Sequence, residues 1–286
     1  MPTKSLEMTP RKSPVPAWFA GEFFGTFILV FFGCGSVATA VLTGAQVGIF
    51  QVAIVWGIGI ATAIYLTGSL SGAHLNPAVT IGLATWGGFA WRKVPRYVFA
   101  QFAGALFASA VLFAMYHGTL VAYEATHQIV RGAPGSEATA MIFGEFFPNP
   151  GGKPFTDEIR LRVTHPAAFF IEFVGTAILM LVILCATNPK NASRPQILTA
   201  ATIGLTVTIL ISLLGPLTMA AFNPARDLAP RLFSSLVGWG SVPFTANGVG
   251  WLTVYVLAPI VGALAGGGIY RMFFAPHYAA ASSGAE

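Results

Sequence analysis

Six stretches of this chain are apolar for long enough to cross a bilayer, and that length limits what the chain can become. A hydrocarbon core of ~30 Å takes ~20 helical residues. Runs at about 17–42, 47–68, 95–116, 166–187, 196–214 and 249–274 meet that length. Lipid offers no partner to an unpaired backbone group, so each run must be a helix. Composition points the same way, with 55% apolar and 9% charged residues, where soluble domains are about a quarter charged. The net charge of +5 does not mark a nucleic-acid binder, because nine of the fifteen lysines and arginines flank the apolar runs and report topology.

The first run follows the basic pair Arg11-Lys12, as a secretory signal would. It is too long for one, contains Glu22 and ends without a small-residue cleavage site, so it reads as a retained span. Cys34 and Cys185 lie inside apolar runs and read as buried free thiols. Their number and placement give no disulfide framework and no metal-ligand spacing, and no cofactor is implied.

Lysine and arginine set the orientation. Lys4, Arg11 and Lys12 precede the first span, Arg92, Lys93 and Arg96 separate the second from the third, Lys190 and Arg194 the fourth from the fifth, and Arg271 ends the sixth. Six spans put all of these on one side, which is therefore cytoplasmic. The expected organisation is a cytoplasmic arm 1–16, a membrane domain 17–274 and a cytoplasmic tail 275–286, in a multi-pass protein of the cell membrane with both termini inside. The domain divides into a first repeat of about 17–116, an extracellular connection 117–165 too polar and Gly/Pro-punctuated to insert, and a second repeat of about 166–274. The sequon Asn191-Ala192-Ser193 falls on the cytoplasmic side and is set aside.

The repeat is visible in the residues. Gly21-Glu22-Phe23-Phe24-Gly25-Thr26 opens the first span and Ile171-Glu172-Phe173-Val174-Gly175-Thr176 opens the fourth, placing Glu22 over Glu172 and Thr26 over Thr176. Three spans per repeat is an odd number, so the two repeats must be inverted in the membrane.

After the second span comes Ser71-Gly72-Ala73-His74-Leu75-Asn76-Pro77-Ala78, and after the fifth Thr218-Met219-Ala220-Ala221-Phe222-Asn223-Pro224-Ala225. Each precedes a stretch of about ten residues, too short to span. Asn followed by Pro is a helix start, since Asn caps the first turn and Pro at the first position loses no hydrogen bond. One copy is weak, because ordinary surface helices also begin this way; two copies at equivalent places of an inverted repeat are strong. Half-helices of ~11 residues reach ~16 Å, so two meeting tip to tip cover the membrane. Their positive N-terminal ends would face the midplane and repel cations. The side-chain amides of Asn76 and Asn223 can donate to a passing oxygen. The stretches Gly72, Ala73, His74 and Met219, Ala220, Ala221 can turn backbone carbonyls toward a lumen, as irregular backbone at membrane depth requires. The result is a polar stripe in an apolar pore, suited to a neutral hydroxylic solute.

These residues resemble the major intrinsic protein family, the aquaporins and glycerol facilitators, from about residue 17 to 274. The most specific parts are SGAHLNPAVT at 71–80 and FNPARDLAPRLF at 222–233. The resemblance implies an all-α membrane protein. Six transmembrane helices and two re-entrant half-helices would form a right-handed bundle with an inverted 3+3 repeat, assembled as a homotetramer in membrane lipid. It implies passive conduction of small neutral solutes, with Asn76, Pro77, Ala78, Asn223, Pro224 and Ala225 as the pore motif. Five positions that separate glycerol channels from water channels in the family read here as Tyr116, Asp227, Arg231, Pro259 and Ile260, and resemble the glycerol branch. The four corners of the family's selectivity constriction align with Trp56, Ile211, Ala220 and Arg226. Glycerol facilitators typically carry glycine and phenylalanine where Ile211 and Ala220 stand, and this set looks closer to the nodulin-26-like plant branch. Glycerol, water, lactic acid, urea, ammonia and neutral metalloid acids all remain open.

Other singled-out residues take plainer roles. Glu22 and Glu172 read as anchors that hold the extended segments through backbone hydrogen bonds, against a proton-relay alternative. His74 contributes its backbone oxygen, with pH gating through the imidazole as the alternative. Arg226 reads as a pore-lining cation that donates to solute, and Trp56 with Ile211 as the wall along which a carbon chain slides. Asp227 pairs within the second half-helix or braces its loop. Leu75 and Phe222 are placed at the midplane wall. His117, His127 and His277 sit near span ends in solvent, and the pairs Gly21/Gly25 and Gly262/Gly266 fit close helix packing. An ion-coupled transporter is the competing class, but both Asn-Pro-Ala junctions lack a carboxylate for a coupling ion. No Ser/His, paired-Asp or His-Glu-x-x-His arrangement supports an enzyme.

Overall fold

The structure is a computed structural model that describes residues 13–45 and 48–283. Residues 1–12 of the arm, with Lys4, Arg11 and Lys12, and residues 284–286 of the tail lie outside the described residues. The described residues form helices and connecting chain, with no strand among them. In chain order the main helices are α1 (Ala17–Thr43), α2 (Ile49–Ser71), α3 (Pro77–Trp86), α4 (Val94–Thr126), α5 (His165–Thr187), α6 (Thr199–Thr218), α7 (Pro224–Ser234) and α8 (Gly250–Ala281). Among the described residues six of them are long and apolar enough to cross a membrane, and α3 and α7 are not.

The inverted repeat shows in the packing. α1 lies against α2 and α4, and α5 against α6 and α8. Each half-helix is packed on the last span of the other repeat, α3 on α8 and α7 on α4. The repeats also meet where α2 crosses α6. Gly57 and Gly204 face each other there, and a Cβ on Gly204 would collide with the Gly57 carbonyl. Lipid gives no hydrophobic drive for helices to associate, so such close backbone contact is the main attraction available.

Two boundaries differ from the expected ones. α4 runs on to Thr126, past residue 116, because its added turns have a surface to pack on. Leu120 is buried in a cluster with Met141, Phe143, Phe146 and Trp239. The connection after α4 therefore does more than stand clear of the membrane: residues 138–148 are buried against the helices. α8 likewise continues through the first residues of the expected tail, with Tyr278 packed on a cluster containing Met180 and Leu184. His117, His127 and His277 are exposed.

The crossing of α2 and α6 yields a stability prediction. Gly204→Val should cost about 1–3 kcal/mol through overpacking, read as a lower thermal midpoint of the detergent-solubilised protein. Gly118→Val, where an added Cβ meets nothing, should keep the parent midpoint.

Candidate functional site

The two Asn-Pro starts are built alike. Asn76 is extended and its Oδ1 accepts from the backbone N–H groups of Ala78 and Val79 at 2.8 and 3.4 Å. Asn223 Oδ1 accepts from Ala225 and Arg226 at 3.0 and 3.3 Å. Pro77 and Pro224 each occupy the first helical turn. The free amide of each Asn then crosses to the other repeat. Asn76 Nδ2 donates to the Phe222 carbonyl and Asn223 Nδ2 to the Leu75 carbonyl, both at 2.8 Å. Each NH₂ has two hydrogens, so this lock leaves one per Asn for another acceptor.

The stretches before the Asn residues are strained in the same places. Gly72, Ala73 and Leu75 have φ of 85°, 49° and 54°, and Met219, Ala220 and Phe222 have φ of 63°, 59° and 53°. Most of these are not glycine, so each such left-handed residue costs on the order of 1–3 kcal/mol and persists only because its surroundings enforce it. The enforcing groups are the two buried carboxylates. Glu22 accepts from the His74 and Leu75 N–H groups at 3.0 and 2.8 Å, and Glu172 from those of Ala221 and Phe222 at 3.1 and 2.8 Å. A hydroxyl completes each set, Ser71 on Glu22 and Thr218 on Glu172, both at 2.6 Å. Gln101 adds an amide to Glu22 at 2.7 Å, a partner that sequence reading did not single out. His74 stacks edge-on against Phe89, with Nδ1 3.3 Å from Thr80 Oγ1.

Two cavities run end to end through this core. The first, of about 300 Å³, is lined by both loop stretches, by Asn76 and Asn223, and by Leu29, Ile60, Val79, Leu179, Ile203 and Val207, and it reaches Thr187 and Thr199 at one end of the bundle. The second, of about 290 Å³, is lined by Val41, Ile49, Met141, Glu145, Asn149 and Met219 at the other end. They share Trp56, Ile211 and Arg226. Ala220 lines the first cavity beside them. The Arg226 guanidinium lies 4.1 Å from the centre of the Trp56 ring, and Gly33 of α1 leaves the space the Trp56 ring occupies.

The family model of the major intrinsic proteins matches residues 11–270. The chain belongs to this family. Among curated major intrinsic proteins it is 40% identical to the glycerol uptake facilitator protein of Pseudomonas aeruginosa, over 96% of this chain and 95% of that one. To the glycerol uptake facilitator protein of Escherichia coli K12 it is 41% identical over 90% and 87% of the two chains. To the propanediol uptake facilitator of Citrobacter freundii it is 39% identical over 87% and 89%. The X-ray structure of the aquaglyceroporin from Plasmodium falciparum superposes with a TM-score of 0.78, at 29% identity, covering 92% of this chain and 98% of that one. It is an all-helical, multi-pass membrane protein of a channel family.

Within this member of the family, the five branch positions do not form one cluster. Tyr116 bonds the Thr39 hydroxyl at 2.7 Å, while Pro259 is buried and Ile260 packs beside Val79 and Met180 in another cluster. Asp227 and Arg231 do pair, through Oδ2 to Nε at 3.0 Å and Oδ1 to Nη2 at 2.7 Å. Both also hold the connection between α4 and α5, because Asp227 Oδ1 accepts from Glu145 N at 2.7 Å and Arg231 donates to the Glu145 carbonyl, as it does to that of Pro243. Glu145 itself ion-pairs with Arg226. In the sequence Glu145 lies inside a connection that reads as polar and has no expected role. Its one available signal was a single acid within the apolar run Met141–Phe147.

The carboxylate brace can be tested directly. Glu172→Ala would strand the Ala221 and Phe222 amides and the Thr218 hydroxyl, at about 1–3 kcal/mol per buried group. The expected outcome is a lowered thermal midpoint together with loss of solute flux in proteoliposomes, against a Cys185→Ala control that keeps both.

Proposed function

We propose that this chain is a passive channel for glycerol and similar small uncharged solutes, also passing water and excluding ions and protons. The observation that carries the reading is the meeting of two cavities at Trp56, Ile211 and Arg226, next to the junction of the two half-helices. In this reading Trp56, Ile211, Ala220 and Arg226 form the selectivity ring. A carbon chain slides along the Trp56 and Ile211 faces while its hydroxyls accept from Arg226. Asn76 and Asn223 offer their remaining N–H groups at the midplane. The backbone of Gly72, Ala73, His74, Met219, Ala220 and Ala221 supplies acceptors above and below. The positive ends of α3 and α7 repel cations there.

The names of the facilitator relatives support glycerol as the solute. Both termini lie in the cytoplasm of a cell-membrane protein, by the placement of Arg92, Lys93, Arg96, Lys190, Arg194 and Arg271. The assembly is a homotetramer with one pore per subunit, in keeping with a path that lies wholly within one chain. Exposed apolar side chains such as Phe24, Phe50, Ile58 and Leu66 face lipid or a neighbouring copy. The Ile211 and Ala220 corners set the rank of glycerol against water, urea, lactic acid, ammonia and metalloid acids.

Stopped-flow light scattering on proteoliposomes should show glycerol permeability well above that of empty vesicles and independent of proton or sodium gradients. Permeability no higher than in empty vesicles would sink the reading, and gradient dependence would favour a coupled transporter. A second expectation concerns Arg226→Ala: glycerol flux persists while potassium or proton leak rises. An unchanged leak would remove Arg226 from ion exclusion.

A further inference from the structure

Arg226 does not stand alone at the ring. Glu145, from the connection between α4 and α5, places Oε1 on Arg226 Nη1, and the two side chains are only 4% and 2% exposed. The other oxygen, Oε2, is buried and has no hydrogen-bond partner among the described residues. Glu145 lines the second cavity beside Arg226. Its backbone is held at both ends, the N–H by Asp227 and the carbonyl by Arg231. A carboxylate so fixed is a built feature of the passage and not a loop residue resting on it.

The charges say what it does. The N-termini of α3 and α7 bring partial positive charge to the centre of the passage, and Arg226 adds a full one. Donors and positive charge gathered in a narrow, poorly solvated place make an anion site, and the low dielectric strengthens the attraction. Left uncompensated, the ring would repel cations but invite small anions. The Glu145 carboxylate cancels the formal charge of Arg226 and leaves the remaining guanidinium N–H groups to donate. We propose that Glu145 is a specificity-determining residue: the counter-charge that keeps this passage closed to small anions while Arg226 keeps it closed to cations. Asp227 and Arg231 act as positioning residues for it.

This assignment rests on the channel reading, and its test uses a separate readout. Full-length protein in proteoliposomes is assayed for nitrate, potassium and glycerol, with amounts normalised to inserted protein. Glu145→Gln should raise nitrate permeability several-fold with potassium unchanged, and adding Arg226→Ala should abolish that gain. Arg226→Ala alone should leak potassium and not nitrate, because Glu145 is left unbalanced, and Glu145→Gln on top should remove that leak. A Glu145→Gln channel that passes glycerol but stays as nitrate-tight as the parent overturns the proposal. So does equal leakage of nitrate and potassium, which is what mere loosening of the ring would give. Should Glu145→Gln alone fail to insert, the comparison of Arg226→Ala with the double variant decides the matter, since a potassium leak that survives the second substitution overturns it. A parent protein that passes no glycerol defeats the channel reading, and the nitrate and potassium readouts still judge Glu145.

Discussion

Everything at the centre of this molecule depends on two carboxylates that hold strained backbone at membrane depth. A chain turning back halfway through a bilayer has peptide groups that neither helix nor lipid can satisfy. Here Glu22 and Glu172 each take two consecutive N–H groups and a hydroxyl of such a turn. That frees the backbone to adopt left-handed conformations at equivalent residues of both loops. It also sets the direction in which Asn76 and Asn223 leave their loops. The reciprocal bonds from these Asn residues to the Phe222 and Leu75 carbonyls then tie the repeats together. A buried acid is costly in a membrane, and this one is repaid by several donors converging on it.

The connection between α4 and α5 is the second layer built on that base. α7 is capped by Asn223, and its turns carry Arg226, which lines the second cavity, together with Asp227 and Arg231. Asp227 and Arg231 grip the backbone of Glu145, and Glu145 meets Arg226. Farther along, Arg131 is pinned by Glu124 at 2.7 Å and by the face of Trp239 at 4.5 Å, which keeps the connection folded over the bundle. One half-helix thus supplies both Arg226 and the residues that hold its partner Glu145. Asp227 and Arg231, two of the five positions that the family resemblance singles out, hold a loop and line neither cavity.

Local chemistry made much of this legible in the residues. The apolar lengths identify the six spans, because hydrocarbon thickness leaves no other structure for them. The paired Asn-Pro dipeptides identify two further helix starts, because capping and the missing proline N–H act within one turn. The matching Glu22 and Glu172 stand out as acids that an apolar helix would carry only for a specific bond. Glu145 does not stand out in that way. It lies in a short apolar run within an otherwise polar connection, and its partners Arg226, Asp227 and Arg231 are some eighty residues away. The ends of α4 and α8 were likewise illegible, since what extends them is packing on distant side chains.

By itself the sequence determined the medium, the number of crossings, the inversion of the repeats and the two half-helix starts. Each follows from short-range rules: the width of hydrocarbon, the geometry of a cap and the parity of three spans. Only the tertiary structure decided that the connection between α4 and α5 folds inward, that Gln101 joins Glu22, and that Glu145 ion-pairs with Arg226. Those are contacts between residues distant in the chain. Nothing local specifies them, because a carboxylate meets a guanidinium only after both backbones have been put in place by everything else.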